Sequence, residues 1–189
     1  LYIRENDFLT DHSKGMKQIT SILIFILICS SLHGQDTTSA INDFDFYIGK
    51  WEVQNQRKMD DGKWIVFDAN VEVKKTLQGY GNVDFFEAII EDEPYSGMTI
   101  RFYDESRNEW YIKWYDSDDP MEEPAPSVGK FENGIGTFYK TITTDSGRQV
   151  KVRFYWYDIK EDSFLWESSW SIDGKIWNPT WKMEFKRIE

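Results

Sequence analysis

A chain of 189 residues with 22 Lys and Arg against 33 Asp and Glu carries a formal net charge of −11, which opposes nucleic acid and anionic membrane surfaces as partners. Nine Trp, ten Tyr and thirteen Phe supply the core of one domain. His12, His33 and Cys29 are the only histidines and the only cysteine, so the chain from residue 36 onward excludes a disulfide framework, a cysteine nucleophile, a Ser-His-Asp triad, histidine-ligated haem and the common zinc sites.

Residues 1–15 read as an extension ahead of Met16, and residues 16–35 as a secretory signal. Lys17 gives the basic start, residues 19–29 the apolar run, and small and polar residues lead to Gly34 and Gln35, where cleavage is expected. That run is too short to span a bilayer and no other long one follows, so the expected product is exported, periplasmic or secreted, without a membrane span. Cys29 offers a rival reading as a lipid anchor, although Ile28 stands where a lipoprotein signal wants a small residue. Residues 36–41 form a polar leader, and residues 42–189 are the expected folded domain.

From Asn42 the chain changes character. Asn42 suits the N-cap of one helical turn, and Phe44, Phe46, Tyr47 and Ile48 are too densely apolar for an exposed helix, so the turn is expected to plug an opening. Gly49 permits a bend into a first strand over 51–58, with Trp51 placed to close the bottom. Ile65, Phe67, Ala69, Val71 and Val73 alternate with Val66, Asp68, Asn70, Glu72 and Lys74, the period of a strand with one wet face. Further strands are expected over 81–91, 97–103, 109–115, 135–144, 149–157, 164–171 and 176–187. Asp61-Gly62, Asn133-Gly134, Ser146-Gly147 and Asp173-Gly174 favour two-residue hairpins, because glycine accepts positive φ. Residues 116–127 hold Asp116, Asp118, Asp119, Glu122 and Glu123 with Pro120, Pro124 and Pro126, and read as an exposed loop. No segment shows a long helical period. The expected fold is all-β, a single antiparallel up-and-down barrel of about eight to ten strands, with a sandwich as the alternative.

The stretch Phe44-Asp45-Phe46-Tyr47-Ile48-Gly49-Lys50-Trp51 resembles the Phe-Asp-Phe-x-x-Gly-x-Trp start of an uncharacterised family of bacterial proteins with calycin-like barrels. Ile100 to Asp104 with Trp110, Trp114 and Asp116 resembles that family's middle hairpin. Trp166 to Ser168, Ser171, Asp173, Gly174, Trp177 and Trp181 resemble its closing hairpin, with a turn one residue shorter than the family's Asp-Gly-Gly. The resemblance implies a barrel related in shape to lipocalins, fatty-acid-binding proteins and nitrobindins, which hold small apolar ligands or haem. Haem is not carried over, because no histidine follows residue 35, and no cofactor is expected. The resemblance also implies that Trp51, with Phe46 and Gly49, closes the barrel beneath a basic side chain of the last strand, Lys186 or Arg187.

Trp110, Trp114, Trp156, Trp166, Trp170 and Trp181 exceed what a small barrel needs to exclude water, and read either as the flat walls of a ligand cavity or as a filled core. Arg101, Arg153 and Glu167 sit in apolar strands. Inward-facing, they must be paired or meet a polar ligand group, an arginine clamping a carboxylate; outward-facing, they are solvated charges. The expected ligand-binding set is therefore Arg101, Trp110, Trp114, Arg153, Glu167 and Trp170. The acidic loop lacks the glycine and spacing of a calcium loop, reads as a solvated segment at the barrel mouth, and leaves no metal site expected. The expected function is an exported barrel that binds a small hydrophobic or amphipathic molecule. Two alternatives stand beside it: an acid–base enzyme using Glu87, Glu167, Tyr103 or Tyr155, and a cavity-less structural or interaction module.

Overall fold

A computed structural model describes residues 40–144 and 146–188, so the leader and signal readings lie outside the described residues. Ten strands follow in order: β1 (Gly49–Lys58), β2 (Trp64–Thr76), β3 (Gly81–Ile90), β4 (Glu93–Asp104), β5 (Glu109–Asp116), β6 (Ser127–Glu132), β7 (Ile135–Thr143), β8 (Gln149–Tyr157), β9 (Ser163–Ser171) and β10 (Asn178–Arg187). Each pairs antiparallel with its chain neighbour, and β10 pairs with β1 to close an all-β up-and-down barrel. Closure removes the unpaired strand edges that an open sheet would leave. Alternation decides which side chains face in: Trp51, Val53 and Asn55 of β1 are buried while Glu52, Gln54 and Gln56 are exposed, and Ala69, Val71 and Val73 of β2 follow the period expected. Among the described residues no helix is long and apolar enough to cross a membrane.

Two expectations are corrected. Strand β6 was not foreseen, because its six residues follow directly on the proline-rich loop and carry Gly129 in their middle. The glycine is required there, since a Cβ would lie 2.0 Å from the Thr137 carbonyl oxygen on β7. Of the four X-Gly pairs only Asn133-Gly134 makes a two-residue hairpin, with φ of 54 and 76 between Glu132 and Ile135. The other three lie in longer loops over 59–63, 144–148 and 172–177. Conversely, Glu91 and Asp92 form a tight turn without glycine, both at positive φ, between Ile90 and Glu93.

The plug is two 3-10 turns, Ala40–Asn42 and Asp45–Tyr47, rather than one turn capped by Asn42; the second has Phe44 at its N-cap and no side-chain cap. Phe44 is 1% exposed and meets Trp110, Phe131 and Trp156 edge-on, with ring centroids 5.0, 4.9 and 5.6 Å away. Lys75 of β2 holds Asp45 at 2.7 Å. Gly49 then turns the chain at φ 128, a conformation that side chains disfavour. Trp51 is fully buried and donates its indole N–H to the Tyr47 carbonyl at 2.8 Å. Of the two basic candidates, Arg187 covers it: the guanidinium carbon stands 4.1 Å from the indole centroid, and its Nη1–H and Nη2–H groups donate to the carbonyls of Ile48 and Phe46. Lys186 faces outward and pairs with Glu184. Trp51→Ala is expected to cost ~3–5 kcal/mol of stability in urea unfolding, the usual loss for a large core side chain. Arg187→Met should cost ~1–3 kcal/mol by leaving two part-buried carbonyls without donors.

Asp43 sits half-buried beside this plug. Burial pushes its carboxyl from 3.8 up to about 6, against the Trp110 indole and the Phe131 backbone, which pull it down. The folded protein therefore holds this proton more firmly than the unfolded chain. Its contribution to stability is full at the acid end and is lost as pH rises through about 6. Asp43→Asn is expected to flatten that part of the stability–pH curve and to raise the melting temperature at neutral pH more than in acid, as followed by thermal melts across the range.

Candidate functional site

Above the plug the barrel interior is not filled. A cavity of about 200 Å³ remains, below the ~300–1,000 Å³ of a drug-sized pocket but above the ~150 Å³ that accommodates a benzene ring. Its walls are aromatic edges and faces. Trp181 on β10 lies edge-on to Phe86, Trp114 and Trp166 at 6.0, 6.3 and 6.0 Å, and its indole N–H is fixed by the side-chain oxygen of buried Asn55 at 2.9 Å. Trp114 lies flat against Gly97, where a Cβ would sit 2.0 Å from the indole. Such edge-to-face contacts hold each ring in one orientation.

The floor is polar and internally neutral. Arg101 and Asp84 are both 3% exposed at their side chains and pair at 2.6 Å. Arg101 also donates to Asn82 at 3.0 Å, and Asp84 accepts from the Thr99 N–H at 3.2 Å. The guanidinium lies over the Tyr47 and Phe44 rings, 4.9 and 5.1 Å from their centroids. Its Nε has no hydrogen-bond partner. Burial pushes the Tyr47 phenol well above its ordinary range, and Asp84 adds to the shift. Tyr47 therefore stays protonated. Arg101→Met or Asp84→Asn alone is expected to cost ~3–5 kcal/mol by stranding one charge, whereas replacing both with apolar residues should cost less than either single change; a double-mutant cycle in urea reads this directly.

The wall is incomplete on one side. Strand β6 pairs with β5 only over Trp110–Ile112 and with β7 only as far as Tyr139. Beyond those points β5 and β7 are not bridged by strand, and Ala125, Ser127 and Lys140 line the cavity there. The loop over 117–126 crosses this side. Its start is tied down by Asp116, which accepts the Trp114 indole N–H at 2.9 Å, the Tyr95 hydroxyl at 3.3 Å and the Asp118 N–H at 3.1 Å. Farther along, Glu123 pairs with Lys113. Tyr95 is pushed up to about 12, by burial first, with nearby Arg57 opposing; the Arg57 guanidinium lies 4.7 Å from the Trp181 ring. Lys140 is half-buried with its amine 5.7 Å from the Phe154 ring, and burial lowers its pKa against the pull of Glu122. Among the described residues no three carboxylates come together as a metal site.

The predicted site residues separate. Arg101 and Trp114 line the cavity. Trp110 lies deeper, 1% exposed against Phe44, with its indole N–H on the Ala40 carbonyl at 3.0 Å. Trp170 lines a different, open groove with Val150, Val152 and Ile172. Arg153 and Glu167 stand on the opposite parity from Phe154, Trp166 and Ser168, which line the cavity. They pair with each other at 3.6 Å on the outer face, under the Trp177 ring. Asp84 and Lys140 were not singled out from sequence, and Tyr47 was read only as part of the plug. A signal for the first was present: the turn at Glu91-Asp92 sets the β3–β4 register, which puts Arg101 opposite Asn82 and Asp84 opposite Thr99. For Lys140 it was its place two residues after Phe138, which is fully buried.

No protein-family model and no curated protein matches the chain. Among solved structures it is similar to the S-type phycobiliprotein lyase CPES from Guillardia theta, with TM-score 0.53 and 12% identity over 80% of this chain and 94% of that one. It is also similar to Rv2717c from M. tuberculosis, with TM-score 0.53 and 9% identity over 82% of this chain and 100% of that one. Identities this low speak for the fold alone, and the fold they share with this chain is the calycin-like β-barrel.

Proposed function

We propose that this barrel binds a small apolar or amphipathic molecule in its aromatic cavity and carries it outside the cytoplasm. The observation that supports binding most is the space itself: a cavity walled by interlocked indoles, with a floor whose charges already cancel and a wall open between two strands. A core that served only stability would close that volume, since each unfilled void forfeits packing energy. Export rests on the basic start and apolar run of residues 16–35. Haem fits poorly. No histidine or cysteine follows residue 35 to supply the usual axial ligand, and the cavity of about 200 Å³ is smaller than even a drug-sized pocket.

The acid–base alternative gains less support, because none of its residues lines the cavity: Glu87 is exposed, Glu167 pairs with Arg153, Tyr103 donates to Asn108 and Tyr155 packs against Tyr157, whereas an acid or base must reach the reacting group. Native mass spectrometry of protein purified from its own cell, followed by extraction, should reveal a reproducible small-molecule adduct. Trp114→Ala is expected to lose most of that adduct at a smaller stability cost than Trp51→Ala. Empty preparations in every case, from folded protein, would overturn the binding role.

A further inference from the structure

Three charged side chains line the cavity: Asp84, Arg101 and Lys140. The first two neutralise each other on the floor at 2.6 Å and are shielded from water. Lys140 is different. It projects from β7 where β6 no longer covers that strand, and among the described residues no carboxylate stands within ion-pair distance of its amine. Its neighbours on the cavity side are the Phe154 ring and the apolar walls. Glu122 of the 117–126 loop pulls on the amine without pairing with it; a half-buried ammonium that has no carboxylate in contact is under-solvated, and an anion brought to it restores the lost interaction. The acidic exterior works against anion entry, but its charges are screened over about 8 Å at physiological salt, whereas a ligand carboxylate would touch the amine.

Resting on the binding role above, we propose that the ligand is a compact organic monocarboxylate, its apolar body among Trp114, Trp166 and Trp181 and its carboxylate on the Lys140 amine at the gap between β5 and β7. The cavity volume limits the apolar body to one or two rings or a short chain. The ion pair sets polarity, with the apolar end inward and the charged end toward the opening.

Isothermal titration calorimetry with naphthylacetate and its neutral isostere naphthylacetamide tests this on the whole protein. The carboxylate is expected to bind at least about tenfold more tightly than the amide, as a charge-assisted contact predicts. Lys140→Met should bring that ratio to about one, and Lys140→Arg should keep it above one. A ratio near one in the unsubstituted protein, or a ratio that survives Lys140→Met, overturns the carboxylate assignment and leaves the binding role standing. Absence of heat from both probes on folded protein overturns the binding role and the assignment with it.

Discussion

The contact between Arg187 and Trp51 is the constraint on which the rest of the barrel depends. The two are register partners on the strands that close it, so the last side chain of β10 lands on the first indole of β1. The guanidinium does more than stack. It donates to the carbonyls of Ile48 and Phe46 and, through Nε, to that of Glu161, and so ties the plug, the closing strand and the β8–β9 connection together. Each of those carbonyls lies outside the strand ladder, and the two part-buried ones, of Ile48 and Phe46, would be costly to leave unpaired. One side chain meets all three needs.

The plug held by this contact also makes the floor of the cavity. Phe44 fills the lower barrel, and Tyr47 turns its ring under Arg101. A buried arginine would be intolerable alone. Asp84 and Asn82 from the neighbouring strand make it tolerable, at the expense of an Nε without a partner. The pair is thus a structural floor rather than an open anion clamp, which moves the uncompensated positive charge up to Lys140. The short strand β6 explains why an opening exists at all: with only six residues it bridges the lower halves of β5 and β7 and leaves their upper halves to a loop.

Much of the fold was legible in the residues. Period-two alternation and recurring turn signals lead to an all-β antiparallel fold, barrel or sandwich, and the resemblance of the Phe44–Trp51 stretch favours the closed barrel. Strand β6 was hidden because it is only six residues long, carries a glycine in its middle and follows directly on the proline-rich loop. The hairpin lengths were misread because Gly62, Gly147 and Gly174 supply their positive φ inside longer loops, where side chains such as Asp173 satisfy the turn's backbone N–H groups at 2.8 and 3.0 Å. The candidate site was harder. Arg101, Arg153 and Glu167 look alike in sequence, each a charge within an aromatic strand, yet a single residue of parity sends Arg101 to the floor and the other two to the outer face.

The sequence by itself therefore determined the class of fold and the aromatic character of the interior, because these follow from local periodicity and composition, and the resemblance of its opening stretch implied the closed end. Only the tertiary structure decided which tryptophans face a space and which fill one, that Arg101 is spent on Asp84, and that among the described residues no carboxylate pairs with Lys140. These depend on strand register and on where β6 stops, and register is a relation between segments far apart in the chain that no local pattern contains.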